Sequence, residues 1–396
     1  MSRPAVEVAD IVRAQGDRFR AQHPWLSVAQ RRALRAIERC RTAALGEHRD
    51  RCTVCGYRPV SFNSCRNRHC NKCQAQARER WLQARARELL AVSYIHVVFT
   101  LPHALLPLGY RNAALLYTLL LRASAATLLT VAADPRHLGA RIGFLSILHT
   151  WGQTLVRHPH VHCVVPAGGF AADRRQWVHP KYPGFFLPIP VLRRVFRGKF
   201  VAGLRRAYAA GHLDLAGATA PLRDPAQWRT FVNALFETDW VVYAKPAFGG
   251  APAVLRYLGR YTHRVAISNH RLIAFDGDGV TFRWKDYAHG HQWRTMTLGA
   301  MEFLRRFVQH VLPRGFVRIR HFGYLANACR RARLTDARAL LAQPAPARSD
   351  DARSDDAGRT APAHWRCPRC GAAMVIGVVM TAAHVAERVG LGIDTS

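Results

Sequence analysis

The sequence predicts an α+β protein in which a central antiparallel sheet follows a helical module that needs metal to fold. Three observations carry this reading. Residues 94–101, Tyr-Ile-His-Val-Val-Phe-Thr-Leu, form a β-branched and aromatic run closed by Pro102, as a core strand does. Residues 142–149 and 160–165 form two more strand-like runs around a loop with Gly152, close enough in sequence to pair antiparallel. Upstream, Cys40 to Cys73 is rich in Cys, His and Arg and poor in aliphatics, so burial alone cannot hold it together.

The elements follow in order. Residues 1–36 carry Val8, Ile11, Val12 and Phe19 at helical spacing, and Gln74 to Val92 returns to that pattern with Trp81, Leu82, Leu89 and Leu90. Helices fill 103–133. The most apolar segment, Ala113 to Ala133, has Arg122 in its middle and reads as a packing helix rather than a membrane span. Arg264 to Ala274 and Gly279 to Trp284 are β-prone, separated by the turn-forming Asp276-Gly277-Asp278-Gly279, and 299–312 and 323–341 are helical in pattern. From Gln343 to His364 the chain is Pro, Ala, Ser, Asp and Arg, the composition of a disordered linker. Three consecutive domains are expected: 1–92, helical and zinc-binding; 93–342, built on the predicted sheet; and 343–396, the linker with a short CxxC tail.

Lys and Arg number 58 against 25 Asp and Glu, a net charge of +33 spread along the whole chain. Such an excess points to a polyanion, nucleic acid above all, which basic surface binds by releasing condensed counterions. Met1-Ser2-Arg3-Pro4 lacks the apolar run of a secretion signal, so the expected location is the cytoplasm, with no membrane partner. Ten cysteines in that compartment indicate metal ligands more than disulfides.

Cys52 and Cys55 form one CxxC and Cys70 and Cys73 another, with fourteen residues between them, a layout that suits tetrahedral Zn²⁺. Cys40, His48, Cys65 and His69 remain, enough for a second ion, and sequential and interleaved ligand pairings both fit. Four-ligand zinc sites are closed, so the expected role is structural. Arg49, Arg51, Arg58, Arg66, Arg68 and Lys72 stud the segment and make it a candidate DNA surface. Cys367 and Cys370 make half a zinc site that Cys329 or His364 would complete; a truncated tail is the alternative reading, and little function is assigned there.

In a strand, His160 and His162 leave the same face while Val161 points the other way, so two imidazoles can grip one ion. His149, from the pairing strand, is the favoured third ligand, with Gln153 and His158 behind it. Open positions on Mg²⁺ or Mn²⁺ would then take phosphate oxygens. Cys163 in the same strand reads as a small core residue. Tyr257 and Tyr261 sit one helical turn apart. Such a pair often just packs, but Arg256, Arg260, His263 and Arg264 surround it with charge that favours phenolate and phosphate. Tyr287, Trp284 and Trp293, with Arg283, Lys285 and Arg294, suit either base stacking or core packing. No GxxxxGK[ST] phosphate loop accompanies them.

These residues resemble the two-tyrosine HUH transposases of rolling-circle insertion sequences, the insertion-sequence ninety-one type. The resemblance runs through Asn63-Ser64-Cys65-Arg66-Asn67-Arg68-His69-Cys70, Val97 to Pro102, His149-Thr150-Trp151-Gly152-Gln153, the histidine strand through Gly168-Gly169, and Tyr257 to Ser268. It implies a replication-initiator-like HUH endonuclease domain behind a zinc-binding module. It also implies that His160 and His162 bind the divalent ion and that Tyr257 and Tyr261 are nucleophiles forming 5′-phosphotyrosine on single-stranded element ends. Arg264 stands where related initiators often carry a lysine. A plasmid-type replication initiator or relaxase shares this chemistry. A non-catalytic zinc-finger regulator is the remaining reading, and it leaves the histidine strand and tyrosine pair without a purpose.

Overall fold

The computed structural model describes residues 4–182, 186–246, 253, 259, 265–287, 289–342 and 366–389. It divides into two compact units. One comprises Met1–Ala77, Ile267–Arg305 and Ala347–Ser396, the other Arg78–Ala266 and Arg306–Pro346. These run across the expected boundaries of 1–92, 93–342 and 343–396, because pieces distant in sequence join one unit. The α+β class is as the strand runs predicted.

In the first unit, helices α1 (Val8–Gln22) and α2 (Val28–Arg39) pack together through Val8, Ile11, Val12 and Phe19 on one and Ala33, Leu34 and Ile37 on the other. Ser27 and Gln30 close a reciprocal cap at the start of α2, satisfying backbone donors that the helix itself leaves open. Strands β1 (Glu47–Cys52) and β2 (Val60–Phe62) follow, then α3 (Asn71–Ala86), which continues into the second unit.

In the second unit, β3 (Tyr94–Thr100) leads to α4 (Leu106–Arg111) and α5 (Ala113–Ala133), then to the hairpin of β4 (Gly143–Trp151) and β5 (Arg157–Pro166). The short strands β6 (Gly169–Phe170) and β7 (Trp177–Val178) precede α6 (Ile189–Ala209), α7 (Pro225–Glu237) and β8 (Val242–Pro246). Gly168 takes φ +117°, and a Cβ there would stand 2.4 Å from the Val178 carbonyl oxygen, so the turn out of β5 requires glycine. Later come β9 (Leu272–Phe275), β10 (Gly279–Asp286), β11 (Gln292–Gly299) and the start of α8 (Ala300–Val308), all in the first unit, then β12 (Ile319–Gly323) and α9 (Arg330–Leu340) in the second. Last are β13 (Met374–Met380) and α10 (Ala382–Val389), in the first unit.

The central sheet has five strands in the order β12-β4-β5-β3-β8, every neighbouring pair antiparallel. Alternation sorts its side chains. Ile95, Val97, Phe99, Phe144, Leu148, Val161, Cys163 and Val165 enter a core with Leu120 and Leu128 of α5 and Phe196 and Phe200 of α6. Each such side chain contributes about 1.5–3 kcal/mol by leaving water. The helix α5 is long and apolar enough to cross a membrane by composition, yet Leu116, Leu120, Leu121 and Leu128 are spent on this core. The opposite face carries Tyr94, Leu145, Ile147 and Val164, covered by Trp81 and Leu89, and it is the face of the histidines.

Several elements differ from expectation. The β-prone Arg264 to Ala274 becomes a 3₁₀ turn at Asn269–Arg271 before the short β9. The helix expected over 323–341 begins only at Arg330, since Ile319–Gly323 joins the sheet edge as β12. In the first unit β9, β10 and β11 form a sheet of their own. Its first turn is made by Asp276, whose Oδ1 accepts from the amides of Asp278 (3.0 Å) and Gly279 (2.6 Å). The linker expected over 343–364 lies outside the described residues. The segment beyond it, expected to be a short tail, contributes β13 alongside β1.

Candidate metal centre

The pairing of β4 with β5 sets His149 opposite His160 and Ile147 opposite His162. Directly opposed residues share a face, so three imidazoles gather there. Each offers one ring nitrogen, and the three nitrogens lie within 4.8 Å of one another. Ring centroids are 4.3 Å apart for His149 and His162 and 4.8 Å for His160 and His162.

Hydrogen bonds aim these rings. The Nδ1 of His160 is 2.6 Å from the His158 carbonyl oxygen, to which an N–H donates, leaving Nε2 as the lone-pair nitrogen. The Nδ1 of His162 is 2.8 Å from Nε2 of His96 on β3. His149 lies flat against Trp151, centroids 4.7 Å apart and 20° between planes. The hairpin that carries His149 is fixed by His310, whose Nε2 donates to the Leu155 carbonyl at 3.0 Å while Nδ1 accepts from the Thr150 hydroxyl at 3.1 Å.

Burial pushes the imidazoles of His96, His160 and His310 down to about 4, and that of His162 well below its ordinary value, with His149, His160 and His96 adding to the effect. All four are therefore neutral at neutral pH. Neutral imidazole is the form that ligates metal, and the three converging ring nitrogens of His149, His160 and His162 fit a divalent transition ion with positions left for oxygen ligands.

Other expected site residues fall elsewhere. His158 is outside the group of three, although its ring centroid lies 5.2 Å from that of His160, and 6.0 Å from that of His103. Cys163 is buried on the core face beside Ser146, its thiol pushed up to about 12 by burial. Tyr257, Tyr261, Arg256, Arg260, His263 and Arg264 lie outside the described residues. Gly259, between the tyrosines, is helical and buried, and a Cβ on it would stand 2.7 Å from Cδ1 of Leu82. Leu82 adjoins Trp81, which packs on the histidine-bearing face of the sheet.

The cysteines form two groups of four. Cys40, Cys65, Cys70 and Cys73 gather in one, with Cys73 Sγ 3.6 Å from both Cys40 and Cys65. Cys52 and Cys55 gather instead with Cys367 and Cys370. The two CxxC pairs of the N-terminal segment thus serve different groups. His48 and His69 stand in neither: His48 Nδ1 is 3.1 Å from Asn63 Oδ1, and His69 Nδ1 is 3.2 Å from Asn67 Oδ1. Cys329, expected as a partner of the CxxC tail, sits with its thiol against the Gly323 and Tyr324 carbonyls, and His364 lies outside the described residues. Arg66 is exposed. Arg68 is half-buried, and that burial lowers its pKa. Lys72, expected on the DNA surface, is mostly buried in an ion pair with Glu7.

Residues 143–333 match a transposase family described as "Putative transposase", and residues 11–101 match one described as "Transposase zinc-binding domain". The chain is 53% identical over 350 residues, 88% of each chain, to "Putative transposase y4qJ" of Sinorhizobium fredii (strain NBRC 101917 / NGR234). It is 30% identical over 324 residues, 78% of this chain and 75% of the other, to "Transposase for insertion sequence element IS801" of Pseudomonas savastanoi pv. phaseolicola. The chain belongs to the IS91 family of transposases. No solved structure matches it. As a transposase it acts on DNA, and the family implies DNA cleavage. The zinc-domain match and the cysteine groups together support structural Zn²⁺.

Two contributors escaped the sequence reading. His96 lies in the predicted strand 94–101, and pairing that strand with the histidine strand would have placed it near His162. His310 carries no local signal, because its partners are more than 150 residues away.

Proposed function

We propose that this transposase cleaves and rejoins single-stranded DNA at insertion-sequence ends by rolling-circle transposition, with Tyr257 and Tyr261 as nucleophiles. The convergence of His149, His160 and His162 on one point, with burial holding His160 and His162 neutral, carries the reading. Bound there, Mg²⁺ or Mn²⁺ would polarise the oxygens of the scissile phosphate. Three nitrogen donors favour Mn²⁺, because Mg²⁺ prefers oxygen ligands and sheds water reluctantly.

A tyrosine Oη, giving up its proton, attacks phosphorus and forms the phosphotyrosine ester while the 3′-oxygen leaves and is protonated. One phosphoester bond replaces another, so the strand can be resealed by the reverse attack of a 3′-hydroxyl. The second tyrosine repeats the step on another strand. Arg256, Arg260 and Arg264 neutralise the phosphates, and Arg66 and Arg68 extend the DNA contact in the zinc module. The four thiolates of Cys40, Cys65, Cys70 and Cys73 hold a structural Zn²⁺. On the β10–β11 hairpin, exposed Trp293 and Tyr287 offer stacking faces, with Lys285 Nζ 5.6 Å from the Tyr287 ring.

The test uses single-stranded oligonucleotides from the DNA flanking the gene, with Mn²⁺. The expected products are a free 3′-hydroxyl and a 5′ end carrying protein. Both vanish in His160→Ala/His162→Ala and in Tyr257→Phe/Tyr261→Phe. Cleavage at the unaltered rate by either double variant would rule the reading out.

A further inference from the structure

We infer that Cys367 and Cys370 complete, with Cys52 and Cys55, a second four-thiolate zinc site that clasps residues 366–389 onto the N-terminal zinc module. Half of its ligands lie outside the segment, residues 11–101, that matches a zinc-binding domain. The inference stands independently of the nuclease chemistry.

The sulfur geometry is that of a shared metal. Cys52 Sγ is 3.4 Å from Cys370 Sγ, Cys55 Sγ is 3.5 Å from Cys367 Sγ, and all four lie within 4.8 Å of one another. A disulfide would hold sulfurs at about 2.05 Å. Four thiolates at about 2.3 Å from one Zn²⁺ sit about 3.8 Å apart along the tetrahedron's edges.

The two halves have the same local build. Cys52-Thr53-Val54-Cys55-Gly56 and Cys367-Pro368-Arg369-Cys370-Gly371 both end in a glycine in the left-handed region, φ +69° and +73°. The amide of Cys52 donates to the Tyr57 carbonyl and that of Cys367 to the Ala372 carbonyl, both at 2.8 Å and both five residues on. Cys52 Sγ accepts from the amides of Val54 (3.5 Å) and Cys55 (3.4 Å), and Cys367 Sγ accepts from the amide of Arg369 (3.4 Å). Turning backbone amides onto the first sulfur of each pair stabilises it as a thiolate. The halves also touch: the Arg369 guanidinium lies 4.4 Å from the centre of the Tyr57 ring.

Few apolar side chains of this segment are buried among the described residues: Cys367 and Met374 gather with Cys52, Tyr57 and Ala372, and Val385 of α10 is buried, while Val378 and Val379 of β13 remain exposed. The β1–β13 ladder supplies backbone hydrogen bonds, with Cys52 opposite Met374 and Glu47 opposite Met380. These apolar contacts work against the entropy of ordering the segment, and a metal whose ligands are 312 and 318 residues apart adds its binding free energy to them.

The test measures zinc per chain in the purified full-length protein by elemental analysis. Two zinc per chain are expected in the unaltered protein. One is expected in Cys367→Ser/Cys370→Ser, one in Cys52→Ser/Cys55→Ser and one when all four are changed, with two retained in Cys329→Ser. Two zinc in Cys367→Ser/Cys370→Ser would overturn the proposal. A second measurement needs no variant. Cys55 and Cys370 are exposed, so in a metal-free protein they would react at once with an alkylating reagent. In the zinc-loaded chain Cys52, Cys55, Cys367 and Cys370 should resist alkylation and become reactive together as a chelator removes one zinc. Free reaction of Cys367 and Cys370 in the zinc-loaded chain would equally overturn it.

Discussion

The Nε2 of His96 stands 2.8 Å from Nδ1 of His162, and the two rings lie within 7° of parallel with centroids 5.0 Å apart. That separation is of an in-plane hydrogen bond rather than face-to-face stacking. For His162 to present a lone pair at Nε2, its proton must sit on Nδ1 and be donated to His96. A metal-ligating histidine held this way by its other nitrogen has its tautomer and ring angle fixed. His96→Ala should therefore weaken Mn²⁺ binding about 10- to 100-fold. His96→Gln, which keeps an acceptor, should recover part of the loss. Titration of Mn²⁺ by its spin-resonance signal reads both, and an unchanged affinity in His96→Ala would remove His96 from the centre.

Metal affinity should be almost independent of pH between 7.5 and 5.5. Burial pushes His160 down to about 4 and His162 well below its ordinary value, so few protons compete with the ion at these two ligands in that window. Two ordinary imidazoles with pKa near 6.5 would lose about 100-fold in affinity over the same range. A Mn²⁺ titration that follows the ordinary curve would mean that the rings are not buried.

His310 should make stability fall with acid. Its folded pKa, about 4, is below the ordinary 6.5, so the unfolded chain binds the proton first. The contribution is fully present above pH 6.5 and is lost as pH falls from there through about 4, amounting to about 3 kcal/mol. In His310→Gln the pH slope of urea-unfolding stability between 6 and 4.5 should drop by up to one proton. An unchanged slope would show that His310 is solvated.

Trp293→Ala should weaken binding of a single-stranded oligonucleotide by about 1–3 kcal/mol, the worth of one base stacked on an aromatic ring. Because the indole is 62% exposed, thermal stability should hardly move. Fluorescence anisotropy gives the affinity, and equal binding by both proteins would place the DNA elsewhere.

The parts of the fold legible in the sequence are those whose signal is local. Tyr94 to Leu101 reads as a strand because it is a β-branched run, and His149 reads as a neighbour of His160 because the hairpin between them is short. The strand β11, Gln292–Gly299, was not legible: most of its residues are exposed, so no apolar alternation marks it. The helices α6 and α7 fell in a stretch to which the sequence reading assigned no element, although Phe196 and Phe200 of α6 are fully buried. The partner of Cys367 and Cys370 was invisible for a different reason. Spacing rules pair cysteines that are close in sequence, whereas here the β1–β13 ladder brings together residues more than 300 positions apart.

The central claim is that a tyrosine of the Tyr257-Leu258-Gly259-Arg260-Tyr261 segment bonds to DNA. Trypsin cuts after Arg256, Arg260 and Arg264, so it parts the two tyrosines into separate peptides. Mass spectrometry of the digested covalent complex, formed on a single-stranded end with Mn²⁺, should find the nucleotide on the peptide 257–260 or 261–264. A nucleotide on any other peptide, or cleavage that proceeds with no adduct at all, would contradict the account.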